Sequence, residues 1–212
     1  MNTNVINLEN RMDRYEKVSS IFSNINSIKI NRFNALKGNP GWKYCGLSHQ
    51  EIIKNNLNCN KNLLVLEDDC DIYDIKNFDN RWSEIKKWLD NNLDKWDIFN
   101  GGPTFVERNK YVKILDEKLN IIQVKIARTS NFVYYNKNIL NKILNWNPDN
   151  NIPIDNFDEW CPELKIVTSI PFLSSQYESY SDIVGQVLNN NIRFAISQQH
   201  IYNCIKRGKL HK

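Results

Sequence analysis

No two of the five cysteines in this chain are spaced C-x-x-C, and their number is odd. Cys45, Cys59, Cys70, Cys161 and Cys204 are scattered along the whole length, a pattern that argues against zinc knuckles and against a disulfide framework. Reduced thiols in a cytosol-like compartment are the expectation. The chain also lacks an apolar run of about 18 residues, so no membrane-spanning helix is expected. Its first residues carry Glu9, Arg11, Asp13 and Arg14 in place of the apolar core of a signal peptide, and a cytoplasmic location follows as an expectation. Internal repeats and linker-like stretches are missing as well. A net charge of +4 without a basic stripe or basic recognition helix speaks against nucleic acid as a partner.

What is present is a chain of 212 residues, 41% hydrophobic and with six tryptophans, enough for one packed domain over residues 1–212. Asn4–Leu8 reads as a short strand, and Tyr15, Val18 and Phe22 recur at helical spacing after it. Residues 28–33 alternate like a strand. Ser48-His49-Gln50-Glu51 has the form of a capping box, which predicts a helix opening at Ser48. Phe78, Trp82, Ile85 and Leu89 form a stripe at i, i+4, i+7 and i+11, the mark of an amphipathic helix. Trp96–Phe99 reads as a strand entering a turn at Asn100-Gly101-Gly102-Pro103. Residues 111–115 and 121–126 predict a hairpin, Phe132–Tyr135 a further strand, and Ile139, Leu140, Ile143 and Leu144 a helix. Beyond that, prolines at 148, 153, 162 and 171 predict an irregular region. Alternation of strand and helix through residue 100 predicts an α/β fold whose central sheet is mixed but mainly parallel.

The most informative stretch is Leu63-Leu64-Val65-Leu66-Glu67-Asp68-Asp69, four apolar residues running into three carboxylates. The apolar run is that of a strand buried on both faces. Open α/β sheets bind ligands beyond the carboxyl ends of such strands. Three adjacent acids repel, and a hard divalent cation that bridges carboxylates to phosphates would relieve them. A solvated turn capped by Asp68 or Asp69 is the plainer alternative.

Taken together and in order, several blocks resemble the family 25 glycosyltransferases, which include lipopolysaccharide-modifying transferases and collagen galactosyltransferases. Val5-Ile6-Asn7-Leu8 with Arg11, Asp13 and Arg14 is similar to the family's V-I-N-L-x-x-R-x-D-R opening. Arg32-Phe33-Asn34-Ala35, Gly38 and Gly46-Leu47-Ser48-His49 resemble its G-x-x-x-S-H block. Leu64–Asp69 is close to its L-E-D-D, and Pro153-Ile154-Asp155, Gln176 and Ser181-Asp182-Ile183 look like its later P-x-D and Q…S-D-I. Thr129-Ser130-Asn131 departs from the H-A-Y often met in the family.

The resemblance implies a GT-A fold, a nucleotide-sugar donor (a UDP-sugar as a rule), Mn²⁺ or Mg²⁺ as cofactor, and transfer of a hexose to a hydroxyl with inversion. The acceptor would be a glycan, a glycolipid or a protein-linked group. Asp69 is the expected metal ligand, Glu67 an aid to the metal or the ribose, Asp68 a support, and His200 a candidate for completing the metal shell. Arg11 and Arg14 would hold donor phosphates through their guanidinium forks. Val5, Asn7 and Leu8 would wall the base, while Ser48 and His49 stand between a helix-capping role and the donor phosphates. Asp155 is the first choice for general base, with Asp182 and Asp158 as alternatives, and Gln176 would contact the donor. Trp42 and Trp160 are candidate stacking platforms for sugar. The basic tail 206–212 is either solvated or a peripheral contact for anionic acceptor or membrane surface. Two other readings compete: a catalytically inert nucleotide-sugar or glycan-binding module, and a metal-dependent phosphohydrolase or nuclease. The latter requires a second acid cluster for a second metal.

Overall fold

In a computed structural model, residues 1–107 and 112–207 are described. The chain opens with β1 (Asn2–Asn7), α1 (Met12–Phe22), β2 (Lys29–Asn34), α2 (Gly41–Asn56), β3 (Leu63–Glu67) and the short β4 (Cys70–Ile72). Then α3 (Phe78–Asn91) leads to β5 (Ile98–Asn100). A run of strands follows: β6 (Phe105–Val106), β7 (Lys113–Asp116), β8 (Ile121–Val124), β9 (Ala127–Arg128) and β10 (Phe132–Tyr135). One-turn helices α4 (Leu140–Ile143) and α5 (Phe157–Trp160) precede β11 (Ile166–Ser169) and β12 (Ser174–Gln176). A hairpin of β13 (Ser179–Ser181) and β14 (Gln186–Leu188) and the helix α6 (Asn191–Lys206) close the fold.

Among the described residues, eight strands form one sheet in the order β2-β1-β3-β10-β5-β11-β8-β7. The fold is α/β with a mixed sheet, as expected. Parallel pairing joins β1 to β2, β1 to β3, and β5 to β11; the other four junctions are antiparallel. Antiparallel pairing thus takes a larger share than the alternation through residue 100 implied. Two of the four antiparallel junctions come from β10, which enters the sheet between β3 and β5 from a late part of the chain, and the other two from β8, paired with β11 and β7.

The apolar run of β3 is buried throughout, Leu64, Val65 and Leu66 completely. Its side chains alternate between two cores, because successive residues of a strand point to opposite faces. Leu64 and Leu66 share one face with Val5, Phe132 and Tyr134, against which α1 and α3 pack. Val65 shares the other with Ile6, Val133 and Tyr135, beneath α2 and α6. In α3 the buried residues are the predicted stripe, Phe78, Trp82, Ile85 and Leu89. At the predicted turn after β5, a Cβ on Gly102 would lie 1.9 Å from the Ser174 carbonyl oxygen, so only glycine lets β12 approach.

Two expectations are corrected. Helix α2 begins at Gly41, not at Ser48, with Pro40 at its N-cap. Ser48 lies mid-helix, where its hydroxyl donates to the Tyr44 carbonyl 2.8 Å away, one turn back, and accepts from Leu36 N–H at 2.9 Å. The C-terminal region holds α6, a helix of 16 residues that the periodicity did not reveal. Its buried positions Phe194, Ser197, Ile201 and Cys204 include two small polar or sulfur side chains, while Ile192 and Ile196 stay exposed, so the apolar signal is smeared around the helix. The predicted hairpin is present as β7 and β8, with Tyr111 outside the described residues. Residues 208–212 of the basic tail also lie outside them. Among the described residues, no helix is long and apolar enough to cross a membrane.

Candidate functional site

Because β1, β2 and β3 run parallel, their carboxyl ends open on the same edge of the sheet. There the chain places Leu8 after β1, Ala35 and Leu36 after β2, and Asp68-Asp69 after β3, around a cavity of about 260 Å³. One part of the wall is apolar and aromatic (Leu8, Ala35, Leu36, Tyr44); another is charged (Arg14, Lys37, Glu67, Asp68, Asp69, Asp182). A second cavity of about 340 Å³ adjoins it, and Cys45, Glu67 and Asp69 line both. Asp155, Gln176, Trp42 and Ser130 line the second. Glu67 and Asp69 at the end of β3 therefore stand at a partition between two spaces of small-molecule size, with Asp68 on the first side alone.

Each acid is held differently. Asp68 accepts from Asn7 Nδ2 at 2.7 Å and pairs with Arg14 Nη2 at 2.5 Å. Arg14 also reaches Asp69 at 3.1 Å, and Gln176 Nε2 donates to both Asp69 oxygens at 3.2 and 3.3 Å. Glu67 Oε1 accepts a hydrogen bond from the Ser130 hydroxyl, with Cys45 Sγ at 3.6 Å and His49 Nε2 at 3.8 Å from the same oxygen. Burial raises the Glu67 pKa, but His49, Ser130 and Arg14 together outweigh it and hold the carboxyl below its ordinary value. Asp69 goes the other way. Burial, then the neighbouring charge of Glu67, push it up to about 7 against the opposing pull of Arg14. Burial likewise pushes Asp68 up to about 6, less than it would without Arg14 and Asn7.

These shifts have a consequence for stability. Both carboxyls keep their protons to higher pH when folded than in the unfolded chain, where Asp titrates near about 3.9. The folded state then binds more protons in the window from about pH 4 to about pH 7, and stability falls as pH rises through it. In denaturant unfolding without divalent metal, the protein should be more stable at pH 5 than at pH 7.5, and Asp69→Asn should flatten the difference. An unchanged slope in the variant would show that Asp69 is ionised in both states.

Asp155 lines the second cavity with its Oδ2 accepting from Thr129 N–H at 2.8 Å. Burial raises its pKa, only partly opposed by that hydrogen bond, and Glu67 adds to the rise. Of the alternatives, Asp182 pairs with Arg11 and lies 3.7 Å from Arg14, and Asp158 pairs with Arg128 at 2.9 Å. Arg11 is further engaged by Asp13 at 3.1 Å.

The remaining predicted residues sort by position. Leu8 and Arg14 line the first cavity, whereas Val5 is buried in the core and Asn7 acts through Asp68. Ser48 and His49 are fully buried and line neither cavity. His200 is half-buried on α6 and lines neither cavity. Trp42 lines the second cavity, edge-on to Trp146 with ring centroids 6.5 Å apart. Trp160 donates to the Ile154 carbonyl at 2.9 Å.

Sequence reasoning passed over Cys45, Thr129, Ser130 and Tyr177. The last donates its hydroxyl to the Asp68 carbonyl at 2.7 Å. Thr129 has φ 95°, a region β-branched residues avoid, and its N–H is the donor to Asp155. A signal did exist, since Thr129-Ser130-Asn131 is where the chain departs from the family pattern.

No family model matches the chain, and no curated protein matches it in sequence. In three dimensions it is similar to A197 from STIV, with a TM-score of 0.52 and 11% identity over 90% of this chain and 94% of that one. Lower likenesses are to a glycosyltransferase involved in glycosylation of the major capsid of PBCV-1 (TM-score 0.48, 10% identity, 93% and 98% of the two chains) and to apo UDP-glucose pyrophosphorylase (TM-score 0.41, 14% identity, 98% and 81%). The likeness to A197 from STIV is one of fold: the chain shares with it an α/β arrangement built on a mixed sheet.

Proposed function

We propose that this protein is a metal-dependent inverting glycosyltransferase that moves a hexose from a nucleotide-sugar, a UDP-sugar in the first instance, to a hydroxyl of a glycan, glycolipid or protein-linked acceptor. The observation that carries the reading is the partition: Glu67 and Asp69 face both cavities, with a half-apolar cavity on one side and Asp155 on the other. A nucleoside suits the apolar wall of the first cavity, its diphosphate the charged part, and an acceptor sugar the second.

The donor set at the partition fits a hard cation. Asp69 is a buried carboxylate whose charge is disfavoured by Glu67 and Asp68 and only partly met by Arg14 and Gln176. Asp69 and Glu67 would hold Mn²⁺ or Mg²⁺, which when bound supplies Lewis-acid stabilisation of the departing diphosphate. His200, which lines neither cavity, is not part of this set. Arg14 anchors Asp68 and Asp69 from the protein side, and Arg11 exchanges Asp182 for donor phosphate. Asp155 accepts the proton of the attacking hydroxyl; the new glycosidic bond forms on one face of the anomeric carbon as the bond to the diphosphate breaks on the other. Burial and Glu67 raise its pKa, which makes it a stronger base than an ordinary carboxylate.

Thermal unfolding with UDP and a panel of UDP-sugars, each with and without Mn²⁺, tests the reading. Ligand at about 100 times its dissociation constant adds roughly 2.7 kcal/mol, an upward shift of several degrees at this size. A shift that needs UDP and Mn²⁺ together is expected. No shift with any UDP compound would overturn the UDP-sugar assignment.

A further inference from the structure

Cys45 and His49 lie four residues apart on α2 and therefore share a face. That face meets the end of β3, where the Cys45 sulfur, a His49 ring nitrogen and a Glu67 oxygen all come within 4.8 Å of one another. His49 is fully buried. Its Nδ1 is 2.9 Å from the Tyr135 hydroxyl, and its Nε2 has no hydrogen-bond partner although it points at Glu67 Oε1 from 3.8 Å. That distance is too long for a hydrogen bond. A buried ring nitrogen within ion-pair reach of a carboxylate but without a hydrogen bond leaves a gap that a bound ion would fill.

The spacing says what would fit. Ligands at about 2.0–2.3 Å around a tetrahedral zinc lie about 3.3–3.6 Å from one another. Cys45 Sγ is 3.6 Å and His49 Nε2 3.8 Å from Glu67 Oε1, two edges close to that spacing, and the third, between Cys45 and His49, is within 4.8 Å. Tyr135 contacts the opposite ring nitrogen, as the partner that orients a metal-bound histidine does. Cys45 and Glu67 also line both cavities, so a fourth position would open toward them.

We propose that Cys45, His49 and Glu67 bind a thiophilic divalent ion of the Zn²⁺ class, with an open coordination position facing the cavities. The mixed sulfur, nitrogen and oxygen set distinguishes the site from an all-oxygen site at Asp69, since Mn²⁺ and Mg²⁺ favour carboxylate and water. Binding transfers the Cys45 thiol proton to solvent, so apparent affinity rises with pH. Burial, with Glu67 and Asp155, raises the Cys45 pKa in the metal-free protein; a bound cation inverts that balance. This site shares Glu67 with the proposed donor-side cation site, and what separates the two is Cys45 and His49, which the donor reading does not use.

The full chain, stripped of metal, is titrated with Co²⁺ as the optical stand-in for Zn²⁺. One equivalent is expected to produce a sulfur-to-cobalt charge-transfer band with tetrahedral d–d absorption, both erased by one equivalent of Zn²⁺. Cys45→Ser should abolish the charge-transfer band, and Cys59→Ser, at an exposed thiol, should retain it. Tyr135→Phe should weaken Co²⁺ binding about 10–100-fold. Asp69→Ala should keep the cobalt spectrum while losing UDP-with-Mn²⁺ stabilisation, which separates failure of this site from failure of the donor site. Circular dichroism confirms folding of each variant. A folded wild type that gives no thiolate band, or a band that survives in Cys45→Ser, overturns the proposal.

Discussion

Asp69→Ala should lower the rate of sugar transfer about a thousandfold while leaving the protein folded. A Lewis-acidic ion at a departing diphosphate is worth several kcal/mol, and about 4 kcal/mol corresponds to roughly three powers of ten in rate. Asp69 faces both cavities and is the carboxylate whose ionisation the protein itself opposes most, through burial and through Glu67 and Asp68. Removing it relieves that repulsion. Stability at pH 7.5 should therefore hold or rise as activity disappears, the opposite signs expected of a residue strained for function. The paired measurement is product formation under saturating donor and Mn²⁺, beside the melting temperature of the metal-free variant. Transfer within a few-fold of wild type would remove Asp69 from the metal site; lost activity with a collapsed melting curve would make its role structural.

The largest effect on stability is expected at Trp82. Its ring is completely buried on α3, with centroids 5.3 Å from Phe132 and from Tyr134, both edge-on, and 5.9 Å from Phe99. It thus joins α3 to the adjacent strands β10 and β5. Trp→Ala in such a place costs about 3–5 kcal/mol through lost burial and the cavity left behind. For a chain of this size that is roughly 6–20 °C in melting temperature. Trp82→Phe should cost much less. The indole N–H is buried without a hydrogen-bond partner, so phenylalanine removes an unsatisfied donor along with the volume. Calorimetry of the two variants side by side decides it: equal losses would mean that the N–H, not ring packing, is what the site needs.

Much of the frame follows from periods short enough to read along the chain. The stripe Phe78–Trp82–Ile85–Leu89 became the buried face of α3, and the apolar run before Glu67 became a strand buried on both faces. Where small or polar residues occupy buried positions, that signal fails. Ser197 and Cys204 hid α6, and Ser48, which mimics a cap, sits mid-helix with its hydroxyl bonded one turn back.

Taken by itself, the amino-acid order determined that a buried strand would end in Glu67, Asp68 and Asp69, since alternation and apolar run length act over a few residues. Only the tertiary structure decided what those acids meet. Asn7 and Arg14 reach Asp68 from the β1–α1 end, Gln176 reaches Asp69 from β12, and Ser130, Cys45 and His49 converge on Glu67. These partners come from segments far apart in sequence, brought to one edge by the pairing order β2-β1-β3-β10. Sheet order minimises exposed apolar area across the whole domain, a global quantity that no local period encodes, and the charge state of each acid follows from it.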